Sequence, residues 1–237
     1  MERSEIDFHS HVLPGIDDGS KSVEESIQML TVSARQGITY MAATPHFYPS
    51  ENDPEQFLVR RKRAFEQLRE AWSPEYPRLL LGAEVYYFEG ISRAEKLEML
   101  RIESSTLFLL EMPFQTWTER MVSEVLALHN RPHLTVLLAH IERYLPYQKR
   151  SVWETLREAG VLMQSNASFF LRWNTKHKAL RMLESGQIHL LGSDCHNMAD
   201  RPPRLGEALE IIGENGRREL EQRSRWLMEF EEVSVET

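Results

Sequence analysis

Nine side chains able to grip a divalent cation recur along this sequence at or just beyond the ends of short apolar runs: His9, His11, Asp18, His46, Glu84, Glu111, His140, Asp194 and His196. Residues two apart on a strand project to the same side, so His9 with His11, and Asp194 with His196, are natural chelating pairs. Asp18, in the Asp17-Asp18-Gly19 turn after the first run, can lean over the same place. A mixture of imidazoles and carboxylates suits manganese, iron, zinc or cobalt better than calcium or magnesium, which prefer oxygen shells. Catalytic ions take roughly three to four protein ligands each, so the set predicts two or three divalent transition-metal ions. Taken singly, each residue has a blander role. A lone strand histidine is usually a hydrogen-bonded core residue, and a lone strand-end glutamate usually pairs with an arginine or caps backbone. Recurrence at one strand end after another is what argues for a shared site. His129, His133, His177 and His189 fall on helices, connections or a strand start and read as non-ligands. Asp17 reads as a turn residue, with an exchange of roles with Asp18 left open.

Cys195 followed by Arg201 has the spacing of a thiolate nucleophile and its phosphate-binding arginine. The residues between them are His196, Asn197, Met198, Ala199 and Asp200, with no glycine to curve a phosphate-cradling loop and one acid pointing the wrong charge at it. Strand alternation also turns Cys195 away from Asp194 and His196. The spacing is read as coincidence.

These residues need a scaffold that makes distant positions converge. Apolar runs at Ile6 to His9, Ile38 to His46, Leu79 to Tyr87, Thr106 to Met112, Leu134 to Ile141, Val161 to Asn166 and Ile188 to His196 have the length and composition of strands buried on both faces. Between most of them lie stretches with helical apolar spacing, such as Val23, Ile27, Leu30 and Ala34. Ser22 with Glu25 reads as a capping box opening the first of these helices. Strand-helix alternation predicts an α/β fold with a parallel sheet closed, or nearly closed, into a TIM-like barrel. In such a barrel every strand opens its carboxyl end on one face, and the nine donors meet there. One domain spanning residues 1–237 is expected, with a final surface helix at 217–230 and a tail at 231–237. The basic run Arg60 to Arg63 reads as a solvated helix face, and Trp117, Trp153 and Trp226 as packing residues.

With 41% hydrophobic and 27% charged residues, the 237-residue chain has the composition of a folded soluble protein rather than a disordered one. Its net charge of −8 argues against nucleic acid as a partner. No apolar stretch is long enough to span a bilayer, and no basic-then-apolar leader opens the chain. With a single cysteine and no internal disulfide possible, a cytoplasmic location is expected.

The motifs Asp7-Phe8-His9-Ser10-His11, Asp17-Asp18-Gly19, Ala43-Thr44-Pro45-His46, Gly82-Ala83-Glu84, Glu111-Met112-Pro113, Ala139-His140-Ile141-Glu142-Arg143-Tyr144, Gln164-Ser165-Asn166-Ala167, Ser193-Asp194-Cys195-His196-Asn197 and Arg201-Pro202-Pro203 occur in that order. As a set they resemble the bacterial protein tyrosine phosphatases of the polymerase and histidinol phosphatase (PHP) superfamily, encoded with capsule and exopolysaccharide genes. The resemblance implies a distorted seven-stranded barrel with three ions: one held by His9, His11, Glu84 and Asp194, one by Glu84, Glu111 and His140, and one by Asp18, His46 and His196. It further implies that Arg143 and Arg201 grip the substrate phosphate, whereas each alone would read as a surface ion pair. The expected chemistry is in-line attack on phosphorus by a water made acidic by divalent cations, with His46 a possible proton donor besides being a ligand. The implied substrate is a phosphotyrosine protein, in particular a bacterial tyrosine autokinase. Rival readings are a histidinol-phosphate phosphatase, an exonuclease-like phosphodiesterase, and a non-catalytic module with a metal site. The oligomeric state is not legible.

Overall fold

A computed structural model describes residues 5–228. In chain order the elements are β1 (Glu5–Ser10), α1 (Val23–Arg35), β2 (Ile38–Ala43), β3 (His46–Phe47), α2 (Pro54–Arg69), β4 (Arg78–Leu81), β5 (Glu84–Tyr86), β6 (Leu107–Glu111), α3 (Glu119–His129), β7 (Thr135–Leu138), α4 (Arg150–Glu158), β8 (Leu162–Asn166), α5 (Ala167–Leu171), α6 (Lys176–Glu184), β9 (Leu190–Gly192) and α7 (Leu205–Leu227). Every strand pairing is parallel, as strand-helix alternation predicts.

Two of the expected strands are broken. The run from Ile38 to His46 divides into β2 and β3, and the run from Leu79 to Tyr87 into β4 and β5. The first halves build one sheet in the order β1-β2-β4, and the second halves open another in the order β3-β5-β6-β7-β8-β9. Pro45 has no N–H for a ladder. At Gly82 the neighbouring strand connection is so close that a Cβ would lie 3.0 Å from Ile102 Cγ1. The sheets curl until β1 meets the end of β9, where Asp194 N donates to His9 O (2.8 Å) and His11 N to Cys195 O (2.9 Å).

Two apolar layers follow from this curl. The larger packs the helices against the outside of the sheets, with Met29, Leu68, Val125 and Leu156 among its members. The smaller fills the inside with Ile6, Phe8, Leu80, Leu107, Leu109, Leu137 and Leu190, and Leu227 and Met228 join it. The last helix therefore does more than cover the surface. α7 starts at Leu205, bends at Gly213 (φ 74°), and buries Leu220 and Leu227, while Met228 bridges to Ser105. The expected tail at 231–237 lies outside the described residues. Arg61 departs from the expected solvated face, since it is buried and donates to Gly82 O (2.7 Å). Trp117 and Trp153 pack against each other at 5.4 Å, but Trp226 is 83% exposed.

Candidate metal centre

Glu84, the first residue of β5, is the hub. Its Oε2 lies 3.2 Å from His9 Nε2, 3.3 Å from His11 Nε2 and 3.0 Å from His46 Nδ1, and its Oε1 lies 2.9 Å from His140 Nε2. Glu111, at the end of β6, stands 3.5 Å from His140 Nε2 and 3.9 Å from His46 Nδ1. Asp194 Oδ1 is 3.6 Å from both His9 Nε2 and His11 Nε2. Asp18, 65% exposed, reaches over the rim to within 3.4 Å of His46 Nε2 and 3.5 Å of His196 Nε2. All nine donors named from sequence thus come together. His11 and His46 are close enough to serve more than one group, since His11, Asp18, His46 and His196 cluster, as do His9, His11 and Glu84, and His46, Glu84 and Glu111.

The donor set fits cations. Two ligand atoms about 2.1 Å from one ion stand about 3.0 Å apart at right angles and about 3.4 Å apart at the tetrahedral angle, and the His9, His11 and Glu84 separations fall in that interval. Glu84 Oε2, His46 Nδ1 and His196 Nε2 are buried without a hydrogen bond among the described residues, although the first two are 3.0 Å apart. Such atoms face a common centre rather than each other.

Three tautomers are set the same way. The Nδ1–H of His9 faces Gln164 Oε1 (3.3 Å), that of His11 donates to Asp17 Oδ2 (2.7 Å), and that of His196 to the Asp194 carbonyl (3.1 Å). A ring nitrogen that donates outward leaves the Nε2 lone pair aimed inward.

Asp17 therefore does more than shape a turn. It also accepts from Gly19 N (2.9 Å) and His46 N (3.0 Å), tying two ligand segments together. Burial would raise its pKa, but the hydrogen bond from His11 holds it down at about 2. Gly19 has to be glycine, because a Cβ there would meet His11 O at 2.3 Å. Gly192 packs on His9 in the same manner, with a Cβ contact of 2.5 Å. Gln164 accepts from His140 N (2.6 Å) besides facing His9, and donates to Asn166 Oδ1 (3.0 Å). Asp7 clamps both ends of the closure, accepting from His9 N (3.2 Å) and Ser193 N (2.8 Å), and burial pushes its pKa up to about 6. Period-two spacing at a strand end places Gln164 and Asn166 together on the mouth side.

Burial opposes ionisation of Glu84, yet the surrounding His9, His11, His140 and His46 hold it well below the usual carboxylate range. Asp194 is likewise held low by His9 and Arg143 against its burial. Its two oxygens have different work. Oδ1 faces the imidazoles, while Oδ2 accepts from Arg143 (2.5 Å), Arg201 (2.5 Å) and Asn166 Nδ2 (2.7 Å). Both guanidiniums, each 37% exposed, so converge beside the donor cluster. Cys195 is fully buried in the outer apolar layer, and burial drives its thiol far above the ordinary value. That position fits neither a thiolate nor a nucleophile. An aromatic rim completes the mouth, with Tyr48 stacked on His46 at 5.3 Å and Phe114, 46% exposed, stacked on His140 at 6.0 Å.

Among the described residues no helix is long and apolar enough to cross a membrane. The tyrosine-protein phosphatase CpsB of Streptococcus agalactiae is 33% identical over 221 residues, covering 87% of this chain and 89% of that protein. The tyrosine-protein phosphatase YwqE of Bacillus subtilis is 30% identical over 215 residues, covering 87% and 83%. Among solved structures, a chain from the crystal structures of the metal-dependent tyrosine phosphatases YwqE from Bacillus subtilis and CpsB from Streptococcus pneumoniae shares the fold, with a TM-score of 0.78 at 24% identity over 94% of this chain and 93% of that one. The family model for capsular polysaccharide synthesis, CpsB/CapC, matches residues 5–226, and the chain belongs to that family.

Proposed function

We propose that this protein is a metal-dependent tyrosine-protein phosphatase, a phosphoric monoester hydrolase acting on phosphotyrosine, with a capsule-locus tyrosine autokinase in the cytoplasm as its partner. The observation that carries the reading is the adjacency of a cation-ready donor cluster and a guanidinium pair, joined through the two oxygens of Asp194. The tyrosine-protein phosphatases CpsB and YwqE, similar along most of the chain, supply the substrate class. The strands are read as one distorted seven-stranded barrel, with residues 1–237 as a single domain. The backbone bonds between β1 and the end of β9, and the enclosed apolar interior, support that reading.

The ligand assignment proposed is His9, His11, Glu84 and Asp194 for one ion, Glu84, Glu111 and His140 for a second, and Asp18, His46 and His196 for a third. Manganese leads, with iron, zinc or cobalt as alternatives on the mixed nitrogen and oxygen chemistry. Ions held there would lower the pKa of a water from about 16 towards about 7 and neutralise phosphoryl charge.

The chain's own residues do the rest. Arg143 and Arg201 exchange the shared Asp194 oxygen for phosphate oxygens, which guanidinium forks match in geometry. Asn166 keeps its bond to Asp194, so that carboxylate stays fixed when the arginines turn to substrate. Phe114 and Tyr48 offer ring faces to a phenyl group at the rim. A phenolate with a parent pKa of about 10 leaves with little protonation, so the reaction needs no dedicated acid. Turnover of phosphotyrosyl peptide, histidinol phosphate and a phosphodiester, each with and without chelator, tests the reading. Chelator-sensitive hydrolysis of the peptide, well ahead of the other two, is expected. Preference for histidinol phosphate or the diester, or activity that survives chelation, overturns it.

A further inference from the structure

Arg143 and Arg201 border more than a phosphate site. They line a cavity of about 480 Å3 that reaches Ser168, Leu171, Arg172 and Arg204, and none of the clustered histidines lines it. Four arginines share this cavity with two aspartates, in a chain whose net charge is −8. One aspartate, Asp194, is already committed to Arg143, Arg201 and Asn166. Arg204 is held by Glu207 through two bonds of 2.8 and 2.7 Å. Arg172, by contrast, makes no side-chain ion pair among the described residues. It is the residue that ends α5, and its neighbour Trp173 is 89% exposed, more than any other large hydrophobic side chain described. A lone guanidinium in a cavity favours an anion, and arginine and tryptophan are the side chains that most often dominate contacts between proteins. A small phosphomonoester would occupy only the phosphate end, leaving the Arg172 end empty.

We propose that the 171–175 turn docks the polypeptide on either side of the target phosphotyrosine, with an acidic side chain of the substrate on Arg172 and an apolar one against Trp173. The inference rests on the phosphatase reading above and adds a selectivity to it: phosphotyrosine flanked by acidic residues is preferred. Charge complementarity and continuity with the phosphate-binding pair identify the occupant as part of the substrate itself.

The test uses the full metal-loaded chain, phosphotyrosyl peptides flanked by aspartate and glutamate, by alanine or by lysine, and p-nitrophenyl phosphate. The wild-type KM is expected to be about tenfold lower for acidic than for lysine flanks. Arg172→Gln erases that difference and Arg172→Lys restores most of it. Trp173→Ala raises KM for every peptide about fivefold with kcat unchanged. For p-nitrophenyl phosphate all three variants keep KM within about twofold of wild type, since that substrate does not reach the turn. Equal KM values for acidic and lysine flanks in the wild type overturn the docking proposal. So does an Arg172→Gln loss that is as large for p-nitrophenyl phosphate as for the peptides. A wild-type protein that hydrolyses neither class removes the phosphatase reading and the docking proposal together, whereas p-nitrophenyl phosphate turnover without peptide discrimination removes the docking proposal alone.

Discussion

Along the inside of the curled sheets, Phe8, Leu107, Leu109, Leu137, Ala139 and Leu190 give way towards the carboxyl ends to His9, Glu111, His140 and Asp194, and both sets are buried. The lower set is satisfied by contact alone. Within the upper set and beside it lie buried atoms with no hydrogen-bond partner among the described residues, Glu84 Oε2 and His196 Nε2 included. An unpartnered buried polar atom costs about 1–3 kcal/mol, so the mouth weakens the fold until cations occupy it, and the apolar interior must carry that load. Stability and chemistry are thus separated by height along the same strands.

The sharpest way to break this comparison is Glu84→Gln. Activity is expected to fall about 1000-fold, since the hub of the donor cluster is lost. Manganese is expected to raise the melting temperature of the wild type by binding the native state and to leave that of the variant unchanged, as scanning calorimetry with and without manganese would show. Retention of both would mean that the carboxylate is structural. Leu109→Ala probes the opposite region. Truncation of a fully buried leucine costs about 2–5 kcal/mol in urea unfolding, with kcat of the folded fraction expected near wild type. A kcat that fell in step with stability would show that the two regions are not separable.

Asp17→Asn sharpens the border between them. It keeps an acceptor for backbone N–H groups but removes the carboxylate that sets His11, and metal affinity should drop about 10- to 100-fold. Titration of activity with manganese reads that drop, which unfolding in chelator should not mirror. The smallest effect belongs to His189, at the foot of β9, whose Nδ1 accepts from Met163 N (3.0 Å). Burial, with Arg223 and Arg157 nearby, lowers its pKa to about 4 from the ordinary 6.5. The folded state holds the ring neutral, so this contribution is complete above pH 6.5 and is lost as the pH falls towards 4. After allowance for partial exposure it amounts to about 1–2 kcal/mol. A urea stability profile from pH 7 to 4 should be flatter in His189→Gln, and identical slopes would remove this role.

How much of this was written in the sequence differs between the two regions. The donors were legible because imidazoles and carboxylates at successive strand ends have few structural reasons to be there. Their exact partition was not. Alternation along a regular strand cannot account for Phe8 and His9 both serving the inside. The register slips between Asp7 and Ser10, which pair with Met41 and Ala43, and the extra residue lets neighbours share a face. Nor does alternation extend to Asp194 and His140, which lie beyond their strands with φ of 53° and 31°. Cys195 lies in the outer layer, away from the mouth, although regular alternation does not hold at Asp194. Asp17, Gln164 and Asp7 escaped notice as positioning residues because each acts on backbone or on an outer ring nitrogen. Such contacts exist only once the chain has curled. The splitting of two strands escaped for a related reason: Pro45 and Gly82 were visible, but which sheet each half would join depends on neighbours far along the chain.

The seam between β1 and the end of β9 joins Asp7 to Ser193, 186 positions apart. Pairings of that span form slowly, because a long loop must close before any contact rewards it. His9 and His11 leave the ribosome 185 residues before Asp194 and His196. A nascent chain therefore holds only scattered donors rather than a finished chelate, and ion capture becomes one of the last events of folding.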